Sequence, residues 1–165
     1  MNWTRLIQTG GLREIRAALR EGSPRLGRDS AGYPLLHHAA MREDSSFRIC
    51  AWLLDAGADP NERDGARFEQ TALHLAAERG NIELAERLLE AGAEPDPPDK
   101  WGNGPVWKAL HFGGLEINTP RRARFGRLVR LLVEAGADLD RVNDSGRTPR
   151  ASHLAQSLWA ELADL

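Results

Sequence analysis

Apolar residues in this chain fall at three- and four-residue spacing in paired runs, and the pairs recur. In Thr71–Ala93, TALHLAAERGNIELAERLLEAGA, the residues Leu73, Ala76 and Ala77 define one face of a first helix. Ile82, Leu84, Ala85, Leu88 and Leu89 do the same for a second. Asn81 is placed to cap the second helix at its start, and Gly92 to end it in a left-handed conformation. Gly57 and Gly136 hold the same place in two variants of the pattern. Upstream, Pro34–Asp59 runs from PLLHHAA to WLLDAGAD; downstream, Gly104–Asp138 runs from GPVWKAL to RLLVEAGAD. Each unit predicts helix, turn, helix, then an extended connection carrying glycine, with small alanines letting the first helices approach closely.

Aligning Pro34, Thr71, Gly104 and Thr148 gives separations of 37, 33 and 44 residues. The excess in the first unit is assigned to the loop near Glu43–Ser46 and the connection Asn61–Gln70. In the third unit it falls between Leu110 and Leu128, and a packed helix pair is expected to exclude such insertions into loops. Gly102–Gly104 and Gly113–Gly114 are read as turn glycines. The ends deviate. Leu6–Gly22 matches only the second half of a unit, with Ile15, Ala18 and Leu19 inward. Thr148–Leu165 opens as a new unit but carries Arg150 and Ala151 where Leu and His are expected.

The motif resembles the ankyrin repeat, with its T-P-L-H-x-A-A helix and LL-x-x-GA-D helix; 33 residues is that family's usual period. The resemblance implies an all-α ankyrin-repeat solenoid of about five helix-turn-helix units, three full and two capping, with short extended fingers. It divides a single domain, 1–165, into an N-terminal cap (1–28), units at 29–64, 65–98 and 99–142, the last with the insertion, and a C-terminal cap (143–165). It implies a binding scaffold and not an enzyme. A second resemblance is carried by Asp99–Leu110, DKWGNGPVWKAL, followed by LLVEAGAD. It looks like a bacterial ankyrin subgroup written roughly D-x-x-G-N-T-P-L-W-x-A, many of whose members resemble immunity proteins of polymorphic toxin systems. Gly104 and Val106 depart from that pattern.

Composition adds exclusions. At 165 residues, 41% hydrophobic and 28% charged, the chain fits one soluble domain, and a net charge of −2 gives no global pull toward nucleic acid or membrane. No apolar run is long enough to span a bilayer, and the N-terminus, interrupted by glycines and arginines, lacks a signal-peptide core. The single cysteine, Cys50, fits a reducing cytoplasm. It aligns with Ala85 and reads as a small buried hydrophobe. His37 and His74 occupy the TPLH histidine, expected to pin neighbouring units through backbone hydrogen bonds. Adjacent His37 and His38 diverge by about 100° on a helix and find no third ligand at metal spacing. Ser45, Ser46 and Ser145 lack the setting of a hydrolase nucleophile. No cofactor is implied.

Function is therefore sought on the surface. The resemblance places a concave groove between the fingertips and the first-helix residues that follow the Ala-Ala pair. By register the partner-binding candidates are Tyr33, Met41 and Arg42; Phe68, Gln70, Glu78 and Arg79; and Lys100, Trp101, Asn103, His111 and Phe112. Ser30, Ala31, Arg67, Glu69, Asp144, Ser145 and Arg147 flank them. Tyr33, Phe68, Trp101 and Phe112 are aromatics at positions the fold does not require, and surface aromatics and arginines are common interface anchors; Phe68 and Phe112 could instead pack beneath their own insertions. Trp107, in place of a histidine, is assigned to the core. The fingers carry Asp59, Glu62, Asp64, Glu69, Glu94, Asp96 and Asp99, favouring a partner with a basic patch. Arg121, Arg122, Arg124, Arg127 and Arg130 load the third insertion and the following helix, equally a phosphate grip or a solvated face. The partner is another protein, read either as a cognate toxin or effector or as a cellular enzyme served by a generic adaptor. The oligomeric state stays open.

Overall fold

The structure, a computed structural model, describes residues 2–21, 28–29, 32–42, 46–116, 119–152 and 162, apart from the side chains of Leu19, Ser46 and Ala66. Among the described residues the chain is helical, with one isolated antiparallel bridge between Arg28 and Pro34. Helices α1 (Trp3–Thr9) and α2 (Leu12–Glu21) form the first pair. Then come α3 (Leu35–Ala40) with α4 (Ser46–Asp55), α6 (Ala72–Arg79) with α7 (Ile82–Glu90), and α8 (Pro105–Leu115) with α9 (Pro120–Glu134). A single turn, α5 (Gly65–Phe68), lies in the connection before α6. The first helices α1, α3, α6 and α8 stack side by side, and α4, α7 and α9 form a second layer behind them.

The core repeats with the sequence. Ile49, Cys50 and Leu53 on α4, Leu84, Ala85 and Leu88 on α7, and Leu128, Val129 and Leu132 on α9 are all fully buried. Their shared spacing puts them on one stripe of each helix. Leu36, Leu73 and Val106 supply the matching row on the first helices, beside the buried alanines Ala39, Ala76 and Ala109. Burying one such aliphatic side chain is worth about 1.5–3 kcal/mol, so layer-on-layer contact is the main source of stability.

Hydrogen bonds join each unit to the next. His37 Nε2 donates to the Gln70 carbonyl at 2.8 Å, and His74 Nε2 to the Asn103 carbonyl at 3.1 Å. The His74 tautomer follows from its other side, where Nδ1 accepts the Thr71 N–H at 3.1 Å. In the preceding unit Pro34 stands in place of Thr71 and has neither N–H nor hydroxyl, so His37 Nδ1 is buried without a partner. Burial holds both imidazoles down to a pKa of about 4 and keeps them neutral. The fingers form a parallel ladder: Gly65 N–H bonds to the Gly32 carbonyl (3.3 Å), Lys100 N–H to Phe68 (2.9 Å) and Asp144 N–H to Trp101 (3.1 Å).

Four expectations change. The third-unit insertion lies largely in helix: α8 has 11 residues against 8 in α6, and α9 has 15 against 9 in α7. Gly113 and Gly114 are consequently not turn glycines but buried members of α8, removing side-chain bulk where α9 packs along it. Pro120 opens α9 where a missing N–H costs nothing. The added turns bury Phe125 under the α6–α7 turn, where a Cβ on Gly80 (φ +66°) would meet its ring at 3.1 Å. The N-terminal cap is a complete helix pair, with Ile15 and Ala18 buried as expected. Trp107, at the histidine position that faces the next unit, is half-buried, not core. That unit, the C-terminal cap, is described only through Ser152 and at Leu162, which is buried; most of it lies outside the described residues.

The neutral histidines set a pH dependence. The unfolded chain takes up protons on His37 and His74 below about pH 6.5, whereas the folded chain resists until about pH 4. Stability is full above that window, falls on acidification through it at up to about 1.4 kcal/mol per pH unit for each histidine, and stops falling from this source below about pH 4. Urea unfolding across a pH series should show this slope, and His74→Gln should lower stability at neutral pH while flattening the acid limb.

Candidate functional site

Between the fingers and the first-helix layer runs a groove of about 340 Å³ lined by Tyr33, His37, Met41, Asp64, Phe68, Gln70, Leu75, Glu78, Arg79, Trp101 and Lys108. Seven of the twelve residues expected from register meet here: Tyr33, Met41, Phe68, Gln70, Glu78, Arg79 and Trp101. At the finger end the Phe68 and Trp101 rings lie 5.9 Å apart at 39°, and Trp101 is 44% exposed. Tyr33 leans on His38 with ring centroids 5.9 Å apart. The aromatics are held by short-range geometry. Asp99 Oδ1 accepts the N–H groups of Trp101 and Asn103, both at 2.9 Å, folding the loop so that Trp101 stands at its tip. Asp64 Oδ1 accepts the Gln70 N–H at 2.8 Å and Asp29 Oδ1 the Tyr33 N–H at 2.9 Å. Phe68 ends the single turn α5, and Glu69 after it takes a left-handed conformation, φ +56°.

Five of the twelve do not line the groove. Arg42 turns to the N-terminal cap and donates to the carbonyls of Ile7 (2.8 Å) and Gly10 (3.0 Å). Asn103 is structural: its side-chain oxygen receives Asn143 Nδ2 at 2.8 Å and its carbonyl receives His74. Lys100 is exposed at the fingertip beyond the groove. Phe112 packs against the core, its ring 5.2 Å from His111 in an edge-on contact. Ser30 and Ala31 lie outside the described residues.

Lys108, Leu75 and Asp64 line the groove without having been expected there. Lys108 and Leu75 directly follow the TPLH histidine position, roughly 100° around the helix from it, and that register identifies them; His38, their counterpart, is held by Asp29 (2.7 Å) and Gln8 (3.0 Å). Lys108 Nζ lies 3.1 Å from Asp99 Oδ2 and 5.8 Å from the Trp101 ring centroid, and the Asp99 carboxylate is fully buried. The acidic finger row thins out in three dimensions. Asp64, Asp96 and Asp99 are occupied inside the fingers, Asp96 by Arg141 (3.0 Å) and the Asp138 N–H (3.3 Å). Burial raises the carboxyl pKa of Asp64 and Asp96. Glu62 pairs with Arg28.

Chemistry is sparse. Among the described residues no group of His, Cys, Asp and Glu is disposed to hold a metal. Cys50 is buried, its thiol directed at the Leu36 carbonyl at 3.9 Å, and desolvation pushes its pKa up. No helix among the described residues is long and apolar enough to cross a membrane.

A family profile described as Ankyrin repeats (3 copies) matches residues 36–119, just over half of the chain. The chain belongs to the ankyrin repeat family. Similar proteins include the E3 ubiquitin-protein ligase KEG of Arabidopsis thaliana, 30% identical over 92% of this chain and 8% of the ligase. Serine/threonine-protein kinase 12 of the same plant is 40% identical over 39% of this chain and 14% of the kinase. Ankyrin repeat domain-containing protein 63 of Homo sapiens is 36% identical over 61% of this chain and 24% of that protein. This ankyrin chain thus spans about a quarter or less of the length of these relatives, and it matches the kinase and the ligase through their ankyrin segments. The family is generally a non-catalytic scaffold for protein–protein interaction.

The buried Asp99 makes Lys108 a structural as well as a surface residue. Lys108→Met should lower stability by on the order of 2 kcal/mol by leaving that carboxylate unpaired. Urea denaturation of the variant beside a Lys100→Met control, which should be near neutral, checks this.

Proposed function

We propose that this ankyrin scaffold binds a protein partner in the groove between its fingers and first helices, without catalysis, and that its role is to neutralise a cognate toxin or effector in the cytoplasm. The observation that carries the groove reading is the Phe68–Trp101 pair, ring centroids 5.9 Å apart with Trp101 44% exposed on a finger tied down by Asp99. A large aromatic kept in solvent on a rigid loop contributes little to folding and much to an interface, because little entropy remains to be lost on binding. The immunity role rests on the DKWGNGPVWKAL resemblance and on the suitability of a rigid concave surface for plugging an active site by shape. The second reading, a generic adaptor of a cellular enzyme, uses the same groove; the plant and mammalian ankyrin relatives favour it.

Trp101→Ala should weaken partner binding by more than about 1 kcal/mol while leaving the unfolding transition unchanged. Affinity measured by calorimetry with a partner captured from the native host checks this, and an unaltered affinity rejects the groove. Co-expression with a toxin domain encoded beside this gene should rescue growth in the immunity reading; growth arrest despite normal expression leaves the adaptor.

A further inference from the structure

Three fingers of this chain close on the same plan. Asp29, Asp64 and Asp99 each accept at Oδ1 the N–H of the residue that ends the finger, Tyr33 (2.9 Å), Gln70 (2.8 Å) and Asn103 (2.9 Å). Each also donates its own N–H to that residue's carbonyl, at 3.0, 2.7 and 2.8 Å. The three carboxylates are therefore structural equivalents, but their second oxygens differ. Asp29 Oδ2 meets His38 Nε2 at 2.7 Å, and Asp99 Oδ2 meets Lys108 Nζ at 3.1 Å. His38 and Lys108 hold the same place on their helices, directly after His37 and Trp107. In the middle unit that place, after His74, holds Leu75, whose side chain has no donor for a carboxylate.

Asp64 is the exception. It is 3% exposed, lines the groove with Leu75 and Phe68, and has no cation in contact among the described residues. Arg28 and Glu69 act on it from farther off and in opposite senses. Arg28 is itself engaged, by Glu62 at 3.1 Å and by the Gly32 carbonyl at 2.8 Å. Burial raises the Asp64 carboxyl pKa against the opposing pull of the Gln70 and Glu69 N–H groups. A carboxylate enclosed without a countercharge is unfavourable, and a cation brought to it relieves the strain. The selection comes from this one group and not from the sum of charges on the lining. There Lys108 is paired with Asp99, and Glu78 and Arg79 offset each other.

We infer that the middle unit takes from its partner the donor that the units on either side supply for themselves: a lysine of the bound protein enters the groove and sets its ammonium on Asp64, as Lys108 does on Asp99. This rests on the groove reading. Lysine suits the place better than arginine. With Oδ1 spent on the Gln70 N–H, a point-charge ammonium can use what remains, whereas a guanidinium fork needs both oxygens. A slender side chain also reaches a nearly enclosed carboxylate, and half-buried Leu75 offers its methylenes an apolar wall.

The test has two arms, built on Asp64→Asn and Leu75→Lys in the full chain. Asp64→Asn keeps the oxygen that closes the finger; Asn143 accepts the Arg147 N–H in this way, at 3.0 Å, in the fourth finger. Leu75→Lys gives the middle unit an ammonium of its own. In the first arm, urea unfolding of both variants and of the double variant shows that each folds and measures their coupling. Leu75→Lys should be better tolerated beside Asp64 than in the Asp64→Asn background. Equal effects in the two backgrounds mean that Asp64 accepts no ammonium, and overturn the inference without any partner. In the second arm, phage-displayed random dodecapeptides are selected on the full chain and each binder is re-measured on Trp101→Ala, Asp64→Asn and Leu75→Lys. Expected are lysine-bearing peptides that weaken on Trp101→Ala and lose at least about tenfold in affinity on each of the other two variants. Norleucine in place of that lysine should lose as much on the unaltered chain and little more on Asp64→Asn. Arginine that binds as tightly in its place overturns the assignment of lysine. Peptides that respond to Trp101→Ala but are indifferent to Asp64→Asn and Leu75→Lys overturn the inference and leave the groove standing. Absence of any binder sensitive to the three variants counts against both readings.

Discussion

Each helix pair of this ankyrin chain carries an apolar stripe that it cannot bury alone, so burial by the neighbouring pair is the constraint from which the structure follows. The fully buried rows Ile49–Cys50–Leu53, Leu84–Ala85–Leu88 and Leu128–Val129–Leu132 are three copies of one solution. The stacking also fixes the polar links. His37 and His74 reach a carbonyl of the following unit because the first helices lie close enough for one imidazole to span the gap. Enclosure there removes water, which is why both rings stay neutral and why acid weakens the stack.

The same constraint explains the handling of the insertion. A long loop at 111–121 would have exposed Phe112 and Phe125 and left its own backbone groups to solvent. Helical extension instead satisfies the backbone internally and buries Phe125 beneath the turn of the preceding unit. The cost is asymmetry, since α9 overshoots α7 and the ladder of equal pairs acquires a wall. That wall is the feature in which this chain departs most from a regular repeat array.

The exposed aromatics sit where folding makes no demand. Trp101 and Phe68 stand on neighbouring fingers whose geometry is set by Asp99, Asp64 and the finger-to-finger ladder, so buried carboxylates supply the rigidity of the loops that present the rings. One oxygen of each carboxylate is spent internally. Of the finger acids, Asp59, Glu69 and Glu94 stay exposed to a partner, beside the half-buried Glu78 of the groove.

The fold was legible because helical periodicity, turn glycines and a 33-residue spacing are local and repeated, and each copy confirms the others. The groove was legible in part for the same reason: register carries Trp101, Phe68, Tyr33 and Glu78 to its lining. It failed at Arg42 and Asn103, whose side chains are claimed by Ile7, Gly10 and Asn143, residues 32 to 40 positions away. It missed the work of Lys108, whose partner Asp99 is close in sequence but meets it only once finger and helix fold against each other. Periodicity along the chain thus determined which residues face inward and where the units begin. Which polar side chains remain available to a partner, and whether extra residues become loop or helix, was decided only by tertiary packing, because both depend on what the adjoining unit places within hydrogen-bond reach.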